Sequence, residues 1–134
     1  MKRNSTIALF FVVFFLYSCA KVDKEPPIIS FLEVNGKTDE VIYIGIPKLS
    51  IEYEVFDNEF VVDSKIKIVE NANLDSGYFY IHIQSINANA YTGSLNVTLP
   101  DSIFQLKHQL TVSIDAFDDS GNQATQLNTI IKFR

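Results

Sequence analysis

The feature that most constrains the fold of this chain is an alternation of apolar and polar residues with a period of two. It is clearest between residues 49 and 56 and between residues 110 and 116. Successive side chains of a β-strand point to opposite faces, so such stretches predict strands that bury one face in a core. No stretch has a convincing helical stripe of apolar residues. The sequence therefore predicts an all-β fold.

Turn-forming residues separate the predicted strands. Asn, Asp and Gly interrupt the alternation at residues 35–36, 57–59, 71–77 and 118–122, and the connection that begins at Pro100 is expected to hold a helical turn around Ile103 and Phe104. About seven short strands with turn signals roughly every 8–12 residues are typical of an immunoglobulin-like antiparallel β-sandwich. We assign this predicted domain to residues 26–134.

The N-terminus has the pattern of a secretory signal. Lys2 and Arg3 precede a stretch without charge, and residues 7–16 are continuously apolar. This run is short for a membrane-spanning helix, which needs roughly 20 apolar residues. The run ends in Leu16-Tyr17-Ser18-Cys19, which resembles the lipoprotein box of bacteria. An ordinary signal peptide or a short N-terminal anchor is the alternative interpretation.

The lipoprotein resemblance implies cleavage before Cys19 and attachment of lipid to its sulfur. Residues 1–18 would then be the signal peptide, and residues 19–25 the lipidated cysteine and a short polar spacer. Residue 20 is alanine rather than aspartate, which by the same resemblance favours the bacterial outer membrane, on its periplasmic or its exterior side. From residue 20 to residue 25 the spacer reaches roughly 20 Å when fully extended, so the domain is expected to lie close to the membrane.

The composition of the chain after this cut excludes several functions. Nine basic residues remain against 16 acidic ones, a net charge of −7. This charge argues against nucleic acid and anionic lipid as partners. Cys19 is the only cysteine, so its lipidation leaves no thiol for a disulfide or for metal binding.

Short motifs in three places resemble those of bacterial immunoglobulin-like and cadherin-like domains. Residues 112–124 match the final hairpin of these domains: an alternating strand, an aspartate, a turn that ends in Gly-Asn, and a small residue. Pro26-Pro27-Ile28 at the start of the domain and residues 55–59 after the second main strand fit the same family. The whole order is similar to a group of small single-domain bacterial lipoproteins of unassigned function. The chain has no tryptophan, so it lacks the core of antibody domains.

Acidic residues are predicted to gather at one pole of such a sandwich. Four segments are expected at the end that faces the membrane: the start of the first strand, the turn at residues 57–59, a loop at residues 85–92 and the hairpin at residues 118–122. The acidic residues near these segments are Glu25, Asp57, Glu59, Asp118 and Asp119. Calcium takes six to eight oxygen ligands, so these side chains are candidate calcium ligands. The alternative is that they only shape turns through hydrogen bonds to the backbone.

A row of polar aromatic residues is a second candidate site. In the stretch 78–84, Phe79, Ile81 and Ile83 are predicted to face inward. The residues predicted to face outward and to form a binding face are Tyr78, Tyr80, His82 and, from the next stretch, Tyr91. Exposed tyrosines can stack on sugar rings or contact a protein. Ordinary cross-strand pairing is the alternative.

The sequence carries no recognisable catalytic signature. The two histidines, His82 and His108, are not spaced as zinc ligands, and no nucleophile or phosphate-binding motif is present. Asp101-Ser102-Ile103 resembles the acceptor of an O-glycosylation system of some Gram-negative bacteria, which makes Ser102 a candidate glycosylation site.

The leading functional hypothesis is a lipid-anchored, non-enzymatic module of the outer membrane. It would bind or adhere to a protein or glycan partner at the cell surface, or serve there as an accessory in an assembly. The alternative is a carbohydrate-binding or calcium-binding β-sandwich module, with calcium as the only cofactor considered.

Overall fold

The computed structural model describes residues 23–43, 48–70, 79–105 and 109–133. The predicted signal peptide and the predicted lipidation site at Cys19 lie outside these ranges. Within them, no helix is long and apolar enough to cross a bilayer.

The described chain is all-β, as the alternation predicts. It contains six strands and one helix of five residues: β1 (Ile28–Val34), β2 (Glu40–Tyr43), β3 (Lys48–Glu70), β4 (Phe79–Thr98), α1 (Asp101–Gln105), β5 (Gln109–Asp118) and β6 (Leu127–Phe133). The helix lies where the sequence predicts a helical turn.

Strands β3 and β4 are longer than expected, because each joins two predicted strands. The end of a strand predicted at the turn of residues 57–59 is wrong, since β3 continues through these residues and only its regular pairing is interrupted between Phe56 and Val61. The loop predicted at residues 85–92 is likewise part of β4, where Asn87 has a φ of 53°. Bulges of this kind bend a strand and increase its twist without ending it.

The strands form one sheet in the order β1-β3-β5-β6-β2, with β4 paired to β3 off this path. The first half of β3 lies between β1 and the second half of β4, and its second half lies between β5 and the first half of β4. All pairs are antiparallel except β2 with β6. Because β1 also contacts β5 and β6, the sheet curls until it is nearly barrel-shaped.

The apolar residues of the alternating stretches fill the space inside this curled sheet. Ile51, Ile66 and Ile114 are fully buried. Tyr53 is buried as well, and its hydroxyl forms a hydrogen bond of 2.9 Å with Ser64 Oγ. Its ring covers Gly93, its partner on β4, so closely that a β-carbon there would lie 2.3 Å from the ring. Only glycine fits at this position without moving Tyr53.

The strand register brings four segments to one end of the molecule. Ile28, which begins β1, pairs with Phe56, and Val61 pairs both with Ala88 and with Asp118. The start of β1, the bends of β3 and β4, and the end of β5 therefore share one pole, as the sequence predicts. We call it the acidic pole and define it as residues 23–28, 56–61, 87–90 and 118–122.

Candidate metal centre

Three aspartates converge at the acidic pole. Asp23 precedes β1, Asp57 lies in the bend of β3, and Asp118 ends β5. One carboxylate oxygen from each lies within 4.8 Å of the others. Each residue is only 5–9% exposed to solvent. The fold thus brings together, in the interior, three carboxylates that are far apart in the sequence.

Two of these carboxylates are each held by a local turn of the same kind. Asp23 Oδ1 accepts a hydrogen bond of 3.0 Å from the backbone N–H of Glu25. Asp57 Oδ1 accepts one of 2.8 Å from the backbone N–H of Glu59. An aspartate that bonds the backbone two residues on forms a compact turn of its own. In both turns one oxygen is used by the chain, and Oδ2 is left for another partner.

The third carboxylate is positioned by Asn122. The backbone N–H of Asn122 donates to Asp118 Oδ1 at 2.6 Å, and its side-chain amide donates to Asp118 Oδ2 at 2.5 Å. The same amide donates to the backbone carbonyl of Asp23 at 3.2 Å. Asn122 therefore links the hairpin after β5 to the segment before β1 and keeps Asp118 beside Asp23.

The remaining oxygens of two aspartates have no hydrogen-bond donor in the described part of the chain. They are Asp23 Oδ2 and Asp57 Oδ2, and both are buried. A buried polar atom without a partner costs about 1–3 kcal/mol, and more when it is charged. Two carboxylate charges at the upper limit of 4.8 Å within this cluster also repel each other by about 3.5 kcal/mol at an effective dielectric constant of about 20.

A cation between the three carboxylates would turn this repulsion into attraction. Among the described residues, only carboxylates converge in the cluster, without histidine or cysteine. Oxygen-only ligands suit Ca²⁺ and Mg²⁺ rather than zinc. The arrangement is therefore chemically suited to hold a hard divalent cation.

The sequence identified part of this cluster. Asp57 and Asp118 come together as predicted. The side chains of the other three predicted ligands, Glu25, Glu59 and Asp119, are exposed outside the cluster. Glu25 and Glu59 contribute their backbone N–H groups instead.

Asp23, which the sequence interpretation placed in the polar spacer, completes the cluster. A signal for it is present in the sequence, because Asp23-Lys24-Glu25 has the same Asp-x-Glu spacing as Asp57-Asn58-Glu59. The spacing alone gives no position in space, and Asp23 is buried only because Asn122 and the bend of β3 lie beside it.

The prediction of an outward tyrosine row on β4 is wrong for the residues that the structure describes. Tyr80 pairs with Ile68 and His82 with Ile66, whose side chains are fully buried. Directly paired residues point to the same face of a sheet, so Tyr80 and His82 are half-buried and Ile81 and Ile83 are exposed.

Tyr91 is also half-buried, with its ring centroid 6.0 Å from that of Tyr53. Tyr78 lies outside the described residues. Ser102, the candidate glycosylation site, is exposed on α1.

A fourth buried aspartate lies on β5, away from the acidic pole. Asp115 is 1% exposed. Its Oδ2 forms a salt bridge of 2.7 Å with Lys67 Nζ, and its Oδ1 accepts hydrogen bonds from Gln123 at 3.1 Å and Gln126 at 2.8 Å. Burial opposes ionisation of Asp115, but the bonds from Lys67 and the two glutamines outweigh it and hold the pKa of the carboxyl below its ordinary value of 3.8.

Comparisons with known proteins give likeness of fold alone. No protein-family model matches the chain, and no curated protein matches it. Among solved structures, the sporulation control protein Spo0M from Bacillus subtilis is similar over 82% of this chain and 50% of its own, with a TM-score of 0.50 and 12% identity. This chain thus spans about half the length of Spo0M.

Two further structures are similar over most of this chain. A Niemann-Pick type C2 protein from the Japanese carpenter ant matches over 84% of this chain and 96% of its own, with a TM-score of 0.52 and 8% identity. A family 76 glycoside hydrolase from a bovine Bacteroides thetaiotaomicron strain matches over 81% of this chain and 20% of its own, with a TM-score of 0.46 and 13% identity. The first agrees with the all-β fold, and neither likeness extends to function.

Proposed function

We propose that this chain is a calcium-binding module of the immunoglobulin-like type, held on a membrane by a lipid on Cys19. The sandwich assignment is supported by the pairing of β3 and β4. The bends divide both strands into halves that belong to two groups. One group contains β1, the first half of β3 and the second half of β4. The other contains the second half of β3, the first half of β4, β5, β6 and β2. An aligned sandwich has two such groups face to face.

Calcium binding rests on one observation, the two buried carboxylate oxygens without a donor. Asp23 Oδ2 and Asp57 Oδ2 are turned away from the turns that hold Oδ1, and Asp118 lies beside them. If these aspartates only shaped turns, one oxygen of each would suffice and the other would face water. The burial of the second oxygen is what favours a cation.

The depth of the cluster favours a structural role for this cation. Three aspartates supply part of the six to eight ligands that calcium takes, and all three are more than nine-tenths buried. A large ligand has no direct approach to carboxylates at this depth. The cation would instead join the segment before β1 to the bend of β3 and to the hairpin after β5.

Titration calorimetry of the purified protein tests calcium binding. We expect heat on addition of Ca²⁺ to the wild type, no such heat for Asp57→Asn, and binding close to that of the wild type for Asp119→Asn. The last variant is the matched control, because Asp119 follows Asp118 directly but is exposed. Absence of binding to the wild type at millimolar Ca²⁺ would end this proposal.

The membrane location is proposed from the Leu16–Cys19 motif and from the short spacer that follows it. Intact mass of the protein from bacterial cells tests it. We expect the mass of a chain that begins at Cys19 and carries added acyl groups, and a soluble, unacylated product from Cys19→Ser. An unmodified Cys19 in the wild type would exclude the anchor and leave calcium binding untouched.

Binding of a partner protein through β4 is a second candidate function. Within the described residues β4 pairs only with β3, so its other edge is open. Residues 79–98 contain no Asp, Glu, Lys, Arg or Pro, the residues that usually protect such an edge. Ile81 and Ile83 are exposed along it. A photo-crosslinking residue at position 83 should capture a partner in cells, and one at exposed Asp119 should not.

The carbohydrate-binding alternative receives less support. It depended on an exposed face of tyrosines, and both Tyr80 and Tyr91 pack partly against the core.

A further inference from the structure

The acidic pole also carries exposed apolar side chains. Ile28, Phe56 and Phe60 are each 39–52% exposed, although all three are large and apolar. Ile28 and Phe56 are directly paired across β1 and β3, so their side chains are neighbours on one face. Phe60 lies four residues further along, in the bend of β3. We call these three residues the apolar rim.

These three side chains are only partly buried, so they stabilise the fold less than fully buried side chains would. Burying a Phe or Ile side chain fully contributes about 1.5–3 kcal/mol, and the rim leaves much of that area in contact with water. Two of the three are phenylalanines, whose large apolar area suits insertion into an apolar surface.

The length of the preceding chain indicates which surface lies beside the rim. Asp23 is four residues after Cys19, so the two Cα atoms are at most about 14 Å apart. Asp23 is buried in the acidic pole and bonded there through Asn122. A lipid on Cys19 therefore holds this pole within about 14 Å of the anchored cysteine. That distance is about twice the thickness of one headgroup layer, which is roughly 5–7.5 Å, so the pole lies beside the membrane surface.

We propose that the apolar rim inserts into the lipid interface of the membrane that carries the anchor. This inference rests on the lipid anchor of the proposed function. Charge selects the kind of lipid: Glu25, Glu59 and Asp119 are exposed at the same pole, and the chain is acidic overall. Anionic lipid would be repelled, so the surface that fits is zwitterionic.

The chain contains no tryptophan, so a single introduced indole reports its own position without background. The lipidated full-length protein, as Phe56→Trp or as Phe60→Trp, is reconstituted into phosphatidylcholine vesicles that carry quenchers at known acyl-chain depths. We expect blue-shifted emission and at least two-fold quenching by the shallow quencher for both variants.

Ile130→Trp is the matched control. Ile130 is 38% exposed, and it pairs with Thr111, which is seven residues along β5 from Asp118. This separation places it roughly 23 Å from the acidic pole at about 3.3 Å per residue. We expect its emission to be unchanged by the quencher.

A second variant tests the rim as a unit. Adding Phe60→Glu to Phe56→Trp should reduce the quenching of the indole at least two-fold, while the thermal midpoint changes little because residue 60 is half-exposed. If lipidated, vesicle-bound protein gives no more quenching at positions 56 and 60 than at position 130, the rim proposal is overturned and the anchor stands. If mass spectrometry finds no lipid on Cys19, the anchor and the rim proposal both fail.

Discussion

The buried Asp115 and the three buried aspartates of the acidic pole differ in how their charge is compensated. Asp115 is as deeply buried as any of the three at the acidic pole, but one lysine and two glutamines donate to its two oxygens. At the acidic pole three carboxylates face one another, and the described chain provides no donor for Asp23 Oδ2 or Asp57 Oδ2. All four aspartates are buried, and only the cluster at the acidic pole has carboxylate oxygens without a donor in the described chain.

The difference separates a structural carboxylate from a candidate ligand. A buried charge is tolerated when it is paired and hydrogen-bonded. Asp115 meets this condition within the protein, whereas the cluster at the acidic pole meets it only with something added. Substitutions of Asp115 should therefore change stability equally with and without calcium, whereas the effect of substitutions in the acidic cluster should depend on calcium.

The largest effect is expected at Asp115. Asp115→Ala removes the acceptor for Lys67, Gln123 and Gln126, and breaking a buried ion pair costs about 3–5 kcal/mol. Because the Lys67 side chain is 30% exposed and can turn to water, we expect a loss of about 2–3 kcal/mol in urea unfolding, equal with Ca²⁺ and with chelator. Asp119→Ala should change stability by less than about 0.5 kcal/mol. A loss at Asp115 that calcium restores would contradict the distinction.

Binding of calcium is expected to increase the stability of the folded state by a comparable amount. A ligand that binds only the folded state stabilises it by about 2.7 kcal/mol at one hundred times its dissociation constant. We expect thermal unfolding of the wild type to shift upward by several degrees in Ca²⁺ relative to chelator, and Asp57→Asn to lose this shift. An equal shift in both proteins would place the calcium elsewhere.

A smaller effect of opposite sign is expected for Asp57→Asn without calcium. The substitution removes one of three repelling charges, keeps an acceptor for the Glu59 N–H, and adds an amide that can donate to Asp23 or Asp118. We expect stability in chelator to rise by about 1 kcal/mol. Asp115→Asn under the same conditions should lower it. If both substitutions lower stability equally, the carboxylate of Asp57 is compensated within the protein as that of Asp115 is, and the distinction between them is wrong.

The smallest effect is the dependence of stability on pH through Asp115. Its pKa in the folded state lies below the ordinary value of 3.8, so the folded state binds protons less readily than the unfolded state. The stabilisation is fully present above about pH 4 and is lost as pH falls through the lowered pKa. Unfolding in chelator between pH 6 and pH 2 should show a steeper loss for the wild type than for Asp115→Asn. Parallel curves would mean that Asp115 does not contribute.

Most of the strand pattern could be predicted from the sequence, since alternation reports which face is buried wherever one face meets a core. On the first half of β4 the alternation did not show which side chains face the core. Both faces of the stretch from Phe79 to Gln84 contain large side chains, so the pattern itself is ambiguous there. The pairing of Tyr80 and His82 with Ile68 and Ile66 decides the orientation, and a shift of one residue reverses every side chain.

The sequence also did not show that two predicted strands join to form β3, for a related reason. Asp57-Asn58-Glu59 has the residues of a turn, and Asp57 does form one with its own backbone. The strand continues because Val61 finds partners on both sides, Ala88 and Asp118. A bulge and a loop use the same residues, and only the neighbouring strands distinguish them.

The sequence by itself determined that the chain forms strands. Together with the order of strands expected for a sandwich, it also predicted that Asp57 and Asp118 lie at one pole. These properties follow from local chemistry and from the order of the strands. Only the tertiary structure decided that Asp23 joins them, that Glu25, Glu59 and Asp119 do not, and that two carboxylate oxygens are buried without donors. Burial and hydrogen bonding depend on residues far apart in the chain, and a single sequence does not state which of them meet.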